Sequence, residues 1–155
     1  MSITARFTGN LQLSNKLKRL AKPSVARRIA RKAGREGMKL VRDAAKLNAK
    51  SIDDLVTREK IWKNIAIQTA KSSKNEVKIR VGIRGGASQN QYTDKTALAG
   101  LPGGVTTYWR FIEFGTSEMA AHPFMRPAFA NNIDAVSNKF AQVFNIELDK
   151  ELAKL

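Results

Sequence analysis

From Ser24 to about Lys50, apolar positions recur every three or four residues, a spacing that predicts one long amphipathic helix. Its stripe is Val25, Ile29, Ala33, Gly37, Leu40, Ala44 and Leu47. Gly34 and Gly37 sit inside it, where glycine either bends a helix or lets another backbone come close. Ahead of it, Ile3, Ala5 and Phe7 alternate with polar residues as in a short strand. Leu13, Leu17 and Leu20 then fall at helical spacing, and Pro23 ends that helix and opens the long one. Ser51 to Lys60 reads as a linker, or as a short helix capped by Ser51 or Asp53. Asn64–Lys71 and Glu76–Ile83 read as two strands of a hairpin; the second alternates cleanly through Val77, Ile79, Val81 and Ile83. Residues 84–106 are polar, glycine-rich and without period, which predicts a long loop or arm. Tyr108–Phe114 reads as a strand. Pro127 starts a last helix that runs to about Leu152, with Phe129, Ile133, Val136, Phe140, Leu148 and Leu152 on its stripe, joined by Val143 or Phe144.

This order of elements predicts an α+β fold: a small, mostly antiparallel β-sheet packed with two long helices. The length, 155 residues, predicts a single domain, residues 1–155.

Composition narrows the chemistry. The chain has no cysteine, so disulfides, thiolate catalysis and cysteine-held metals are excluded. The same fact fits synthesis in a reducing cytoplasm. No apolar run is long enough to cross a membrane, and the first residues lack the apolar core of a secretion signal. No membrane partner and no cofactor are expected. The net charge is +15 and uneven: Lys and Arg outnumber Asp and Glu by 22 to 6 through Arg84, and stand at 6 to 7 afterwards. The basic surface therefore belongs to the first half. Arg27, Arg28, Arg31, Lys32 and Arg35 on the long helix are candidates for contact with DNA or with an acidic partner. Aromatics are 7% of residues and are not interleaved with this basic run, so stacking on bases is not expected.

The stretch FIEFGTSEMAAHPFMRPA, Phe111 to Ala128, contains the only histidine and two of the four prolines. His122 has no second histidine and no metal-binding motif around it, and it precedes a proline, which favours an extended turn. Glu113 lies among bulky residues. It reads as a solvated strand edge, or as a carboxylate that fixes a turn or pairs with Arg110, Arg126 or a neighbouring subunit. Gly115 and Thr116 suit the end of an element. Pro123 and Pro127 bracket Phe124 and stiffen the way into the last helix. A phosphate-cradling glycine motif is absent.

The run Tyr108, Phe111, Glu113, Phe114, Gly115, Thr116, followed by His122-Pro123-Phe124-Met125-Arg126-Pro127-Ala128, resembles the bacteriophage minor tail-component family. Its members are tail-completion, or head–tail joining, proteins of long-tailed phages. The basic helix, the strand ending in VGI and the long final helix extend the likeness over most of the chain. One departure is the connection after the basic helix. Family members often carry a proline-aspartate-threonine-glycine stretch there, and this chain reads KLNAKSIDDLVTREKIWKNI. The resemblance implies a late structural protein of the virion without catalysis. It implies a ring, expected to hold six copies, at the neck where the tail meets the DNA-filled head. Implied partners are further copies, tail-terminator and head-completion or connector proteins, and genomic DNA in the channel. Tyr108, Phe111, Glu113, Phe114, Gly115, Thr116, Pro123, Phe124, Arg126 and Pro127 would form a fold corner or interface, and residues 84–106 an arm ordered on assembly. Two other readings compete: a basic nucleic-acid-binding module, and an enzyme using His122 and Glu113.

Overall fold

The computed structural model of the chain describes residues 22–154. The expected strand at Ile3–Phe7 and helix at Leu13–Leu20 lie outside the described residues. Those described form an α+β fold with six helices and one two-stranded antiparallel sheet. In chain order they are α1 (Pro23–Lys50), α2 (Ile61–Asn64), β1 (Ile65–Ala70), β2 (Lys78–Ile83), α3 (Lys95–Ala99), α4 (Trp109–Phe114), α5 (Met125–Ala130) and α6 (Ile133–Leu152). They fall into two compact units. Within the described residues, the first comprises 22–40, 67–80 and 134–154, and the second 41–66 and 81–133.

Helix α1 opens on Pro23, whose fixed φ and missing N–H suit a first helical turn, and closes with Lys50 beside the negative end of the helix dipole. Its most buried positions advance by four: Ile29, Ala33, Gly37, Val41, Ala45 and Ala49. A four-residue step overshoots a full turn by about 40°. The stripe therefore drifts around the helix. This corrects the expected stripe at Leu40 and Leu47, which are 37% and 70% exposed.

The first unit is a helix pair with a hairpin. Ile29 and Ala33 of α1 form a buried cluster with Phe144 and Leu148 of α6, flanked by Val25, Ala30, Phe140, Val143 and Leu152. The two phenylalanine rings stack at 5.6 Å between centroids. Arg28 pairs with Glu151 at 2.6 Å and Lys32 with Glu147 at 2.8 Å. The step forward on one helix matches a step back on the other, so the pair runs antiparallel. Close approach explains both glycines of α1. A Cβ on Gly37 would stand 3.0 Å from the Val136 carbonyl oxygen, and one on Gly34 would stand 3.0 Å from Ile79 of the hairpin.

In the second unit, Val41, Ala45 and Ala49 are buried together with Ile61, Ile65, Val81, Ile83, Leu98, Phe124, Met125, Ala128 and Phe129. Residues 51–60 are a linker. Asp53 accepts from the Ile61 and Trp62 N–H groups at 3.1 and 3.4 Å and so caps α2 from eight residues upstream. Within residues 84–106, α3 is capped by Asp94 and buries Leu98. The segment is tied back by bonds that include Gln89 to Thr107, Trp109 Nε1 to the Gly86 carbonyl, and Gly103 to Asn64.

Two elements differ from the sequence reading. Tyr108–Phe114 was expected as a strand, and Trp109–Phe114 is helix α4. The aromatic composition favours a strand, but the helix carries Glu113 inward to the hydrogen bonds described below. The last helix is also split. α5 ends at Ala130, Asn131 and Asn132 interrupt, and α6 begins at Ile133. Asn132 turns its side-chain amide to the Ala128 carbonyl at 2.8 Å, the local competition that makes asparagine a poor helix interior.

Candidate functional site

Most of the candidate residues meet in one corner between α4 and α5. Helix α5 has six residues and no side-chain cap of its own, because Phe124 precedes it. Its first N–H groups would be orphaned inside the unit. Glu113, one helix earlier, satisfies them. Its Oε2 accepts from Phe124 N at 2.8 Å and Met125 N at 2.9 Å; its Oε1 accepts from Arg126 N at 2.9 Å and Arg126 Nε at 3.2 Å. Arg126 returns a bond from Nη2 to the Glu113 carbonyl at 2.7 Å. The carboxylate is 1% exposed. A negative charge at a helix N-terminus is favoured, and hydrogen bonds to a charged acceptor are about twice as strong as neutral ones. Glu113 is therefore a cap supplied across 11 residues of chain, with both oxygens engaged.

The connection between the helices is built to deliver that cap. Gly115 ends α4 at φ 74, ψ 179, and a Cβ there would stand 2.8 Å from both the Met119 carbonyl oxygen and the Ala121 nitrogen. Thr116 Oγ1 accepts from the Glu118 and Met119 N–H groups, and Thr116 N donates to the Met119 carbonyl. His122 donates its backbone N–H to the Ile112 carbonyl at 2.7 Å, and its side chain is exposed. Pro123 is exposed beside it, and Phe124 is fully buried, meeting Trp109 edge-on at 6.5 Å between ring centroids. Pro127 stands in the first turn of α5, where no N–H is needed.

Two aromatics face outward from the same corner. Phe111 is 43% exposed and Phe114 is 60% exposed. They lie three residues apart on α4, and Met119 beside them in sequence is also exposed. A guanidinium covers each ring: Arg110 over Phe111 at 4.9 Å, and Arg126 over Phe114 at 5.0 Å. Tyr108, which leads into α4, is half-buried. Burial raises its phenol above the ordinary value, with the Glu59, Asp53 and Asp54 carboxylates adding to the effect.

The basic candidates separate into three kinds. Arg28 and Lys32 are ion-paired to α6. Arg27 is half-buried, with its Nε enclosed and unpaired among the described residues. Arg31 and Arg35 are exposed, and Arg35 reaches the Thr69 hydroxyl at 3.4 Å. Sequence reasoning missed Asn64, which is fully buried. Its amide nitrogen donates to the Gly104 carbonyl and to Thr106 Oγ1, and its amide oxygen accepts from Gly103 N. The signal was an amide inside the apolar run IWKNIAI. Among the described residues, no group of three or more His, Asp or Glu could hold a metal ion, and no helix is long and apolar enough to cross a membrane.

A corner that buries Glu113 as a cap, and turns aromatics outward, is built for shape and contact. Residues 12–115 match the family model of the bacteriophage HK97-gp10 tail component. The chain belongs to this HK97-gp10-like family, and is a structural component of the phage tail and so of the virion. No curated protein and no solved structure matches the chain. The family match stops at Gly115, so Glu113 lies inside it and the backbone groups it caps lie beyond it.

Proposed function

We propose that the chain is a non-enzymatic subunit of a ring, six copies by tail symmetry, that completes the tail and joins it to the DNA-filled head at the neck. Its neighbours there are other copies of itself, the tail terminator, and head-completion or connector proteins. The observation that carries this reading is the corner. Phe111 and Phe114 are held outward on a helix locked by Glu113, Met119 is exposed in the connection that follows, and exposed apolar side chains of this kind mark a contact surface. In this reading residues 84–106, held against their own unit in the single chain, rearrange on assembly as an arm to a neighbouring subunit. His122 and Glu113 make no catalytic pair in this reading, because both oxygens of Glu113 already accept backbone N–H groups.

Phage lacking the protein should yield separate heads and tails. Complementation with Phe111→Ser/Phe114→Ser should restore soluble protein but not joined particles. Infectious, joined particles from the knockout would refute the role; joined particles from the double variant would refute the assigned surface. A second reading, a nucleic-acid-binding module, is favoured by the exposed Arg31 and Arg35 and is reconciled with the first if the ring meets DNA.

A further inference from the structure

The sequence placed five cations of α1 on one polyanion-binding face. The structure divides that face and extends it elsewhere. Arg28 and Lys32 stand against Glu151 and Glu147, which also take Lys154 and Lys150, so the side chains of Arg28 and Lys32 are engaged within the fold. Arg31 and Arg35, exposed and one helical turn apart, take part in no ion pair among the described residues. Arg35 touches Thr69 near the end of β1, which brings the hairpin alongside these arginines. Just beyond Thr69, the hairpin turn carries Lys71 and Lys74. Both are exposed and without an acidic partner among the described residues, whereas the neighbouring Lys78 is paired to Glu76 at 3.1 Å.

We infer that Arg31, Arg35, Lys71 and Lys74 form one contact surface for the backbone of duplex DNA, and that Arg28 and Lys32 are not part of it. The four cations follow one another from the helix to the hairpin tip within the first unit. Arg31 and Arg35 are separated by about 6 Å of helix rise, and Lys71 lies roughly 7 Å of extended chain past Thr69. Duplex DNA presents a negative charge about every 1.7 Å along its axis, so such a row meets several phosphates at once. No aromatic ring stacks among these four residues, so the contact reads charge and not base sequence. The inference deepens the DNA partner proposed above and does not require the ring.

The test is fluorescence anisotropy of a short labelled duplex with the full chain over a series of salt concentrations. Each lost phosphate contact lowers the slope of log affinity against log salt by about 0.9. Arg31→Ala/Arg35→Ala and Lys71→Ala/Lys74→Ala should each lower it by about 1.8, that is, two contacts. Arg28→Ala/Lys32→Ala removes the same formal charge and should leave the slope nearly unchanged. The lysine pair lies in an exposed turn, so its variant folds and decides the matter if the arginine variant does not. Equal losses from all three variants would overturn the inference, because a diffuse field from net charge would then account for binding. Absence of duplex binding at low salt, with or without binding to an acidic protein, would also overturn it. Either result with particle joining intact leaves the neck role standing.

Discussion

Replacing Glu113 separates a buried cap from a surface charge. Glu113→Ala removes the only side-chain acceptor for the N–H groups of Phe124 and Met125, both in buried residues, and for the partly buried N–H of Arg126. A buried donor left unpaired costs about 1–3 kcal/mol. Two full losses and one partial one come to about 4–5 kcal/mol. The Arg126 guanidinium adds little, because its side chain is 44% exposed and regains water. Glu113→Gln keeps the shape and one acceptor oxygen, so about half that loss is expected, roughly 2 kcal/mol. Arg126→Ala should cost under about 1 kcal/mol. Urea unfolding followed by Trp fluorescence is a suitable assay, since Trp109 packs edge-on against Phe124. With a slope of about 2 kcal/mol per molar urea, the Glu113→Ala midpoint should fall by about 2 M. If both Glu113 variants stay within about 0.5 kcal/mol of wild type, the carboxylate is an ordinary surface group and the cap does not exist.

Three further outcomes follow from the geometry. Gly115→Ala forces a side chain into a positive-φ conformation and against the Met119 carbonyl, so a loss of at least about 2 kcal/mol is expected in the same unfolding assay. Asn64→Ala orphans Gly103 N and two acceptors in the second unit; about 3 kcal/mol should be lost, with faster amide exchange at Gly103. The pairing of α1 with α6 should depend on pH. Hydrogen bonds from Lys32 and then Lys150 hold the Glu147 carboxyl below its ordinary value, and one from Lys154, with the charge of Arg28, does the same for Glu151. Because the folded values are lowered, this contribution is fully present above the ordinary carboxylate range and is lost as pH falls from there through the lowered folded values. Thermal melts of wild type and Lys32→Ala should therefore converge in acid; a gap that persists at low pH would contradict the assignment.

The long elements were legible because their periodicity is carried by many residues. The predicted hairpin strands, Asn64–Lys71 and Glu76–Ile83, differ from β1 and β2 by one or two residues at each boundary that moved, and α1 by one. What failed was short and decided at a distance. A strand through YWRFIEF would put Trp109, Phe111 and Glu113 on one face, whereas the helix turns Phe111 to solvent and Glu113 inward. No local preference in six residues could outweigh three backbone donors waiting at Phe124–Arg126. The register of α1 was misread for a related reason. Leu40 and Leu47 are more apolar than Val41 and Ala45, yet the smaller residues are the buried ones. Hydrophobicity finds a helix, but the partner decides its buried face. The corner residues were identifiable as a group from their motif. The division of the basic face was not, because it depends on Glu147 and Glu151 in the last helix.

The antiparallel packing of α1 on α6 also sets an order of events during synthesis. The Glu113 cap closes over 11 residues, while the Arg28–Glu151 pair closes over 123. Short closures form early and long ones late. Ile29 and Ala33 must therefore wait, with one apolar face uncovered, until Phe144 and Leu148 have left the ribosome. In that interval the basic flank of α1 keeps a growing chain soluble by repelling its neighbours. The charge proposed to meet a partner in the finished protein thus has a second use in the nascent one.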